Sequence, residues 1–327
     1  MLSGSPYSLI SEMLEAPEVL RRFDRTRTEG WSDAIDLQKR LFVSGEGSSR
    51  ILPAKNLISQ SMRIGSPWQI YTEGARQAAE YDLSGFTVLA ASNSGQTREL
   101  IALLEALLQD GIPCYGVTAT AGSRMTQIIG DVIVLTCGEE KAVASTKSVV
   151  EQTLTYQSLL KGGEWDQQER AADLCARLLA QTVPQAITDM VAAAPVIYFS
   201  GRNNGVAEEL TLKTGEIARK KAIYLEGTYA LHGVEEVMRK EETLILIEPF
   251  QTEIEKYNKI LKEGVGLNVI AIASFDTPFP TIKVPALAGF DSYLQLMAGW
   301  NILVSAGLVL GVNLDKPERA RKIGNAV

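Results

Sequence analysis

The chain carries one pattern twice. LFVSGEGSSR at residues 41–50 has a counterpart in IYFSGRNNGV at 197–206. In both, an apolar run ends in Ser-Gly and gives way to small and polar residues. Gly45 and Gly201 stand 156 positions apart, and the next apolar runs, starting at Thr87 and Thr243, keep that offset. Third runs follow at 114–117 and 269–272, and fourth runs at 132–135 and 282–284. The runs are continuous rather than alternating, as strands covered on both faces should be. Between them, residues 98–109 and 252–263 space their apolar side chains as helices do. Strand, helix and parallel strand in succession require right-handed crossovers. The expected fold is therefore α/β, two tandem doubly wound parallel-sheet domains related by internal repeat. Their expected extents are 1–165 and 166–327, with a helical connector around 147–190; each is of ordinary domain size.

Composition narrows the function classes. Hydrophobic residues make up 46% of the 327 and charged ones 22%, as in an ordinary globular protein. The net charge of −7, with no basic cluster, excludes a nucleic-acid footprint. Cys114, Cys137 and Cys175 lack pairing or metal spacing and are expected as buried free thiols. A single histidine argues against a histidine metal site, so no metal is expected. The N-terminus has no basic start followed by an apolar core, as a secretion signal would. The apolar stretch 300–312 is too short to span a bilayer and is expected as a buried helix. No membrane partner and a cytoplasmic location are the expectations.

In doubly wound sheets, ligands sit beyond the carboxyl ends of the strands. There the first copy places three hydroxyl-rich loops: Gly47-Ser48-Ser49, Ser92 to Thr97, and Val143 to Lys147. The middle loop, SNSGQT, leads straight into the helical pattern at 98–109. A helix N-terminus with free N–H groups suits a phosphate. The second copy offers Glu248-Pro249-Phe250 at the matching place, which does not suit an anion. Further on, Lys213 and Glu216 share a helix face, the spacing of many plain surface ion pairs. His232, and the charged tail from Asp315 to Lys322, have equally plain structural readings taken alone.

Together these motifs resemble the SIS (sugar isomerase) family, specifically the isomerase half of glucosamine-6-phosphate synthase and its stand-alone deaminase relatives. SNSGQT is similar to the family's S-x-S-G-x-T phosphate loop, VASTKS to its V-A-S-T-K segment, and GSS to its G-T-S loop. The resemblance implies a sugar-phosphate site at Ser48, Ser49, Ser92, Asn93, Ser94, Thr97, Val143 and Ser145. It implies catalytic roles for Lys213, for Glu216 as proton shuttle and for His232 in ring opening. The D-x-P tail at Asp315-Lys316-Pro317 implies that Lys322 forms a Schiff base with the sugar carbonyl. No cofactor is implied. The substrate would be a hexose or hexosamine 6-phosphate, and the assembly a homodimer or larger homo-oligomer with His232 supplied by a neighbour. Two departures stand out: Val234 occupies a place where proline is usual, and no glutaminase domain precedes the repeat. The expectation is release of ammonia from glucosamine 6-phosphate, giving fructose 6-phosphate. The alternatives are a fructosamine-6-phosphate deglycase, whose relatives carry a glutamate at the position of Glu236, and a non-catalytic sugar-phosphate sensor.

Overall fold

The computed structural model describes residues 4–319. Its first sheet comprises β1 (Arg40–Gly45), β2 (Gln69–Glu73), β3 (Thr87–Ala91), β4 (Cys114–Thr118) and β5 (Val132–Val134). The second comprises β6 (Val196–Gly201), β7 (Lys221–Glu226), β8 (Thr243–Ile247), β9 (Asn268–Ala273) and β10 (Thr281–Lys283). Their orders are β2-β1-β3-β4-β5 and β7-β6-β8-β9-β10, the same topology twice, with every pairing parallel. Leu41 pairs with Thr87 and Ile197 with Thr243, so even the register repeats.

The central strands β3 and β8 are buried along their whole length, which explains their continuous apolar character. The edge strands β2 and β7 alternate between exposed and half-buried residues over most of their length. QIYTE and KAIYLE begin and end on polar or charged residues, as edges that must resist further pairing do. This is why neither was expected from apolar runs.

Helices α1 (Ser8–Arg22) and α2 (Glu29–Gln38) precede β1. In the first unit α3 (Ile51–Arg63), α4 (Ala75–Ala78), α5 (Arg98–Gln109) and α6 (Arg124–Ile128) link successive strands. Three helices join the sheets: α7 (Lys147–Gln157), α8 (Gln168–Ala180) and α9 (Gln185–Ala193). The second unit adds α10 (Val206–Lys213), α11 (Ile254–Lys256) and α12 (Asp291–Val309). The helix expected over 252–263 is irregular: α11 passes into a π-helix at Tyr257–Val265. Asn258 and Gly264 are poor formers of a regular helix.

The late apolar helix also differs from expectation. It starts at Asp291, not near 300, and its 19 residues are long and apolar enough to cross a membrane by length and composition. Yet 83% of its apolar window is buried inside the protein, so it is the core helix of the chain. Its polar beginning concealed it. Ser292 donates to Asn56 Oδ1 at 2.8 Å, and Gln295 accepts from Asn204 Nδ2 at 3.2 Å, which makes both burials tolerable. Side chains of α1, α7, α8, α9, α10 and α12 form one continuous core with the inner face of the second sheet. Cys114 and Cys175 are buried and Cys137 is half-buried, all three free. Burial pushes the Cys114 thiol up to about 12, so it is unreactive.

Candidate active site

The carboxyl end of the first sheet opens into a cleft of about 760 Å³. Ser48, Ser49, Ser92, Asn93, Ser94, Thr97, Val143, Ser145, Lys213 and Glu216 all line it. The three loops converge because each leaves a neighbouring strand or the segment after β5.

The middle loop is tied to itself. Ser92 Oγ lies 2.8 Å from Thr97 Oγ1 and accepts the Gly95 N–H at 3.1 Å, while Ser94 Oγ accepts from Gln96 N at 3.2 Å. Gly95 has φ +62°, and a Cβ there would lie 2.1 Å from Ser123 Oγ, so only glycine permits this turn. α5 then begins at Arg98, directly after Thr97 of this loop, so its N-terminus stands at the cleft end of the sheet. The loop itself contains no acid, but the fold brings one to it. Glu140, buried, accepts from Asn93 Nδ2 at 3.4 Å. It also binds Thr146 N at 2.7 Å and Ser148 Oγ at 2.5 Å, and so shapes the loop that presents Val143 and Ser145. Lys147, by contrast, turns away to Glu15 of α1 at 2.6 Å.

The second half of the chain supplies the opposite wall. Gly205, at φ +92°, starts α10 so close to α3 that a Cβ would meet Leu52 Cα at 2.9 Å. An ion pair between Lys55 and Glu208 crosses the same seam. One turn further, Glu209 accepts from Ser48 Oγ at 2.6 Å and lies 3.5 Å from Lys213 Nζ. Lys213 in turn donates to Glu216 Oε2 at 2.8 Å. A polar chain thus runs from the first hydroxyl loop to Glu216. Beyond Lys213 the helix widens into a π-turn at Thr214–Ala218, a distortion frequent at functional sites.

Glu209 and Lys213 are fully buried, whereas Glu216 keeps 27% of its side chain exposed to the cleft. Burial pushes the Glu209 carboxyl above its ordinary value, although Lys213 and Ser48 pull it down. Burial works against the Lys213 charge, but Glu216 and Glu209 outweigh it and hold the ammonium above its ordinary value. The result is a fixed cation beneath a half-open carboxylate. Glu209 and Glu140 escaped the sequence reading because an acid on a helix or loop normally faces water.

The cleft does not include His232, which is exposed on a loop after β7, with Nε2 3.1 Å from Thr228 Oγ1. Glu236 is exposed on the same loop. Lys322 lies outside the described residues. Among the described residues, the second sheet presents no equivalent hydroxyl-rich loop. Glu248, at φ +42°, folds its carboxylate onto Ser274, accepting from Oγ at 2.6 Å and N at 2.8 Å.

Residues 35–162 match the family model of the SIS domain. The isomerizing glutamine–fructose-6-phosphate aminotransferase of Halobacterium salinarum is 28% identical over 83% of this chain, which spans 50% of that relative's length. Among solved structures, the C-terminal domain of glucosamine-fructose-6-phosphate aminotransferase from Francisella tularensis superposes with a TM-score of 0.78 at 16% identity. That match covers 96% of this chain and 99% of the other. Glucosamine-6-phosphate deaminase from Thermotoga maritima superposes with a TM-score of 0.69 at 17% identity, over 96% and 98%. The matched SIS domain thus comprises the first sheet and its helices, and the second half of the chain repeats the same strand order, giving an α/β fold of two tandem SIS-type units.

Proposed function

We propose that the chain is a phosphosugar aldose–ketose isomerase acting as a glucosamine-6-phosphate deaminase. The observation that carries this reading is the Ser48–Glu209–Lys213–Glu216 chain, which sets a carboxylate on a buried ammonium opposite the hydroxyl loops. The sugar phosphate rests on Ser92 to Thr97 and the first turn of α5. Glu216 takes the proton from C2 of the open aldehyde and returns it to C1, which leaves an imine at C2. Lys213 balances the negative charge that develops on the enediol-like intermediate. Lys322 attacks C2 and expels ammonia, and water then frees fructose 6-phosphate and restores the amine.

The test is an ammonia-release assay across hexosamine and fructosamine 6-phosphates. Glucosamine 6-phosphate is expected to give ammonia and fructose 6-phosphate in equal amounts. Release of an amine from fructosamine 6-phosphates instead would move the assignment to a deglycase, the reading that exposed Glu236 beside His232 supports. Binding without turnover of any of them would make the protein a sensor.

His232 enters this scheme from a second copy. Its loop is exposed and flanked by apolar side chains, Tyr229 at 61% and Val237 at 69% exposure, as a surface awaiting a partner would be. Mixed Glu216→Gln and His232→Ala chains, each inactive alone, are expected to regain about a quarter of wild-type activity in a two-fold dimer. No recovery after confirmed subunit exchange would remove His232 from the neighbour's site.

A further inference from the structure

We infer that Arg219 and Asp315 are positioning residues that seat the stem of the C-terminal tail between the Glu216 segment and α1. The inference rests on the role proposed above for Lys322, which follows this stem in sequence. Arg219 comes three residues after Glu216 and ends the π-turn in the left-handed region, at φ +52°. Its guanidinium reaches three acceptors of the stem at once. Nη2 donates to the carbonyls of Asn313 at 2.9 Å and Lys316 at 2.5 Å, and Nη1 to Glu318 Oε1 at 2.5 Å. Only a planar fork with several donors satisfies such a set together.

Asp315 ties the same stem to the other side. Its two oxygens accept the N–H groups of Ser8 at 2.8 Å and Leu9 at 2.9 Å, the first turn of α1. Tyr7 at the start of that helix offers no side-chain cap of its own, so the tail supplies it across the fold. Asn313 Oδ1 accepts from the N–H groups of Asp315 and Lys316 and bends the stem, while Leu314 is buried in the main core. From α1 the path continues into the cleft. Glu12 accepts from Lys141 N at 2.5 Å and Ala142 N at 3.3 Å, and Glu15 holds Lys147, bracketing the loop of Val143 and Ser145.

A chain end normally frays. Residues 313–318 are instead held from two sides that lead to cleft elements, by Arg219 behind Glu216 and by α1, whose Glu12 and Glu15 hold the loop of Val143 and Ser145. A reacting amine must be placed to within a fraction of an ångström, so the anchorage of its stem bears on turnover more than on phosphate binding.

Two measurements test this. Arg219→Ala is expected to lower kcat for ammonia release by about tenfold or more, with KM for glucosamine 6-phosphate within about twofold. The sugar trapped on Lys322 by borohydride, read by peptide mass, falls in parallel, and Arg219→Lys recovers part of both. Should Arg219→Ala not fold, Arg219→Lys against wild type gives the comparison. A merely structural role would lower Tm and leave kcat and trapping per folded molecule intact, and that result overturns the inference. Hydrogen exchange in free protein is independent of any reaction. Asp315→Ala should speed exchange at Ser8 and Leu9 and also, through α1, at Lys141 and Ala142; unchanged protection at the latter pair overturns the seating. Wild-type protein that neither releases ammonia nor traps sugar would overturn the proposed function and the catalytic part of this inference, and exchange alone would then decide the seating.

Discussion

Glu216→Gln is expected to cut kcat for ammonia release by about 10²-fold or more, with KM for the sugar phosphate little changed. The amide has the size of the carboxyl group and still offers an oxygen to Lys213, so the wall of the cleft keeps its shape. What it lacks is a basic oxygen for the C2 proton. A stranded buried ammonium would threaten the fold. Here it is not stranded, because Glu209 stays 3.5 Å away as a second counter-ion. The variant should therefore melt close to wild type, and its defect should be chemical. Exchange of the C2 hydrogen with tritiated water separates the possibilities: if exchange survives in Glu216→Gln, the proton shuttle is another group.

Lys322→Ala is expected to keep sugar-phosphate binding and to lose most ammonia release. Borohydride should fix fructose 6-phosphate to wild-type protein and not to the variant. An imine at C2 needs an uncharged amine. The ammonium form of a lysine becomes less favoured when desolvated beside other cations, for which Lys213 and Arg319 are candidates. In the proposed scheme the phosphate rests on the first sheet's loops and the tail serves the chemistry, so affinity and turnover should part company. Full deaminase activity in Lys322→Ala would end the imine route, and with it the advantage of this reading over a deglycase.

The repeat made the fold legible, since a buried parallel strand announces itself as an unbroken apolar run and the two copies vouched for each other. What stayed hidden was whatever faces water on one side or hides polarity inside. β2 and β7 alternate because one face is exposed. The first turn of α12 looks polar because Ser292 and Gln295 find buried partners 236 and 91 residues away. The hydroxyl loops could be picked out from their residue types and positions, the Lys213–Glu216 pair only through the family resemblance, and the fold gathers them in one cleft. Glu209 and Glu140 could not. Their significance lies in what neutralises them, Ser48 and Lys213 for one, and Asn93, Thr146 and Ser148 for the other, and no local pattern encodes such distant meetings.

A duplicated fold would ordinarily yield the same site twice. The close approach at Gly205 instead makes one site out of two copies, and the two have specialised. One copy keeps the hydroxyl-rich loops, while the other, its own loop closed by Glu248 on Ser274, lends a helix across the boundary. On the proposed reading, affinity resides mainly in one repeat and reactivity in the other, and the two can drift independently. A lineage could change which sugar is held by altering the first repeat while the acid–base apparatus of the second stays untouched. The constraint on that freedom is the close packing at Gly205, where one added methyl group would press α10 against the backbone of α3.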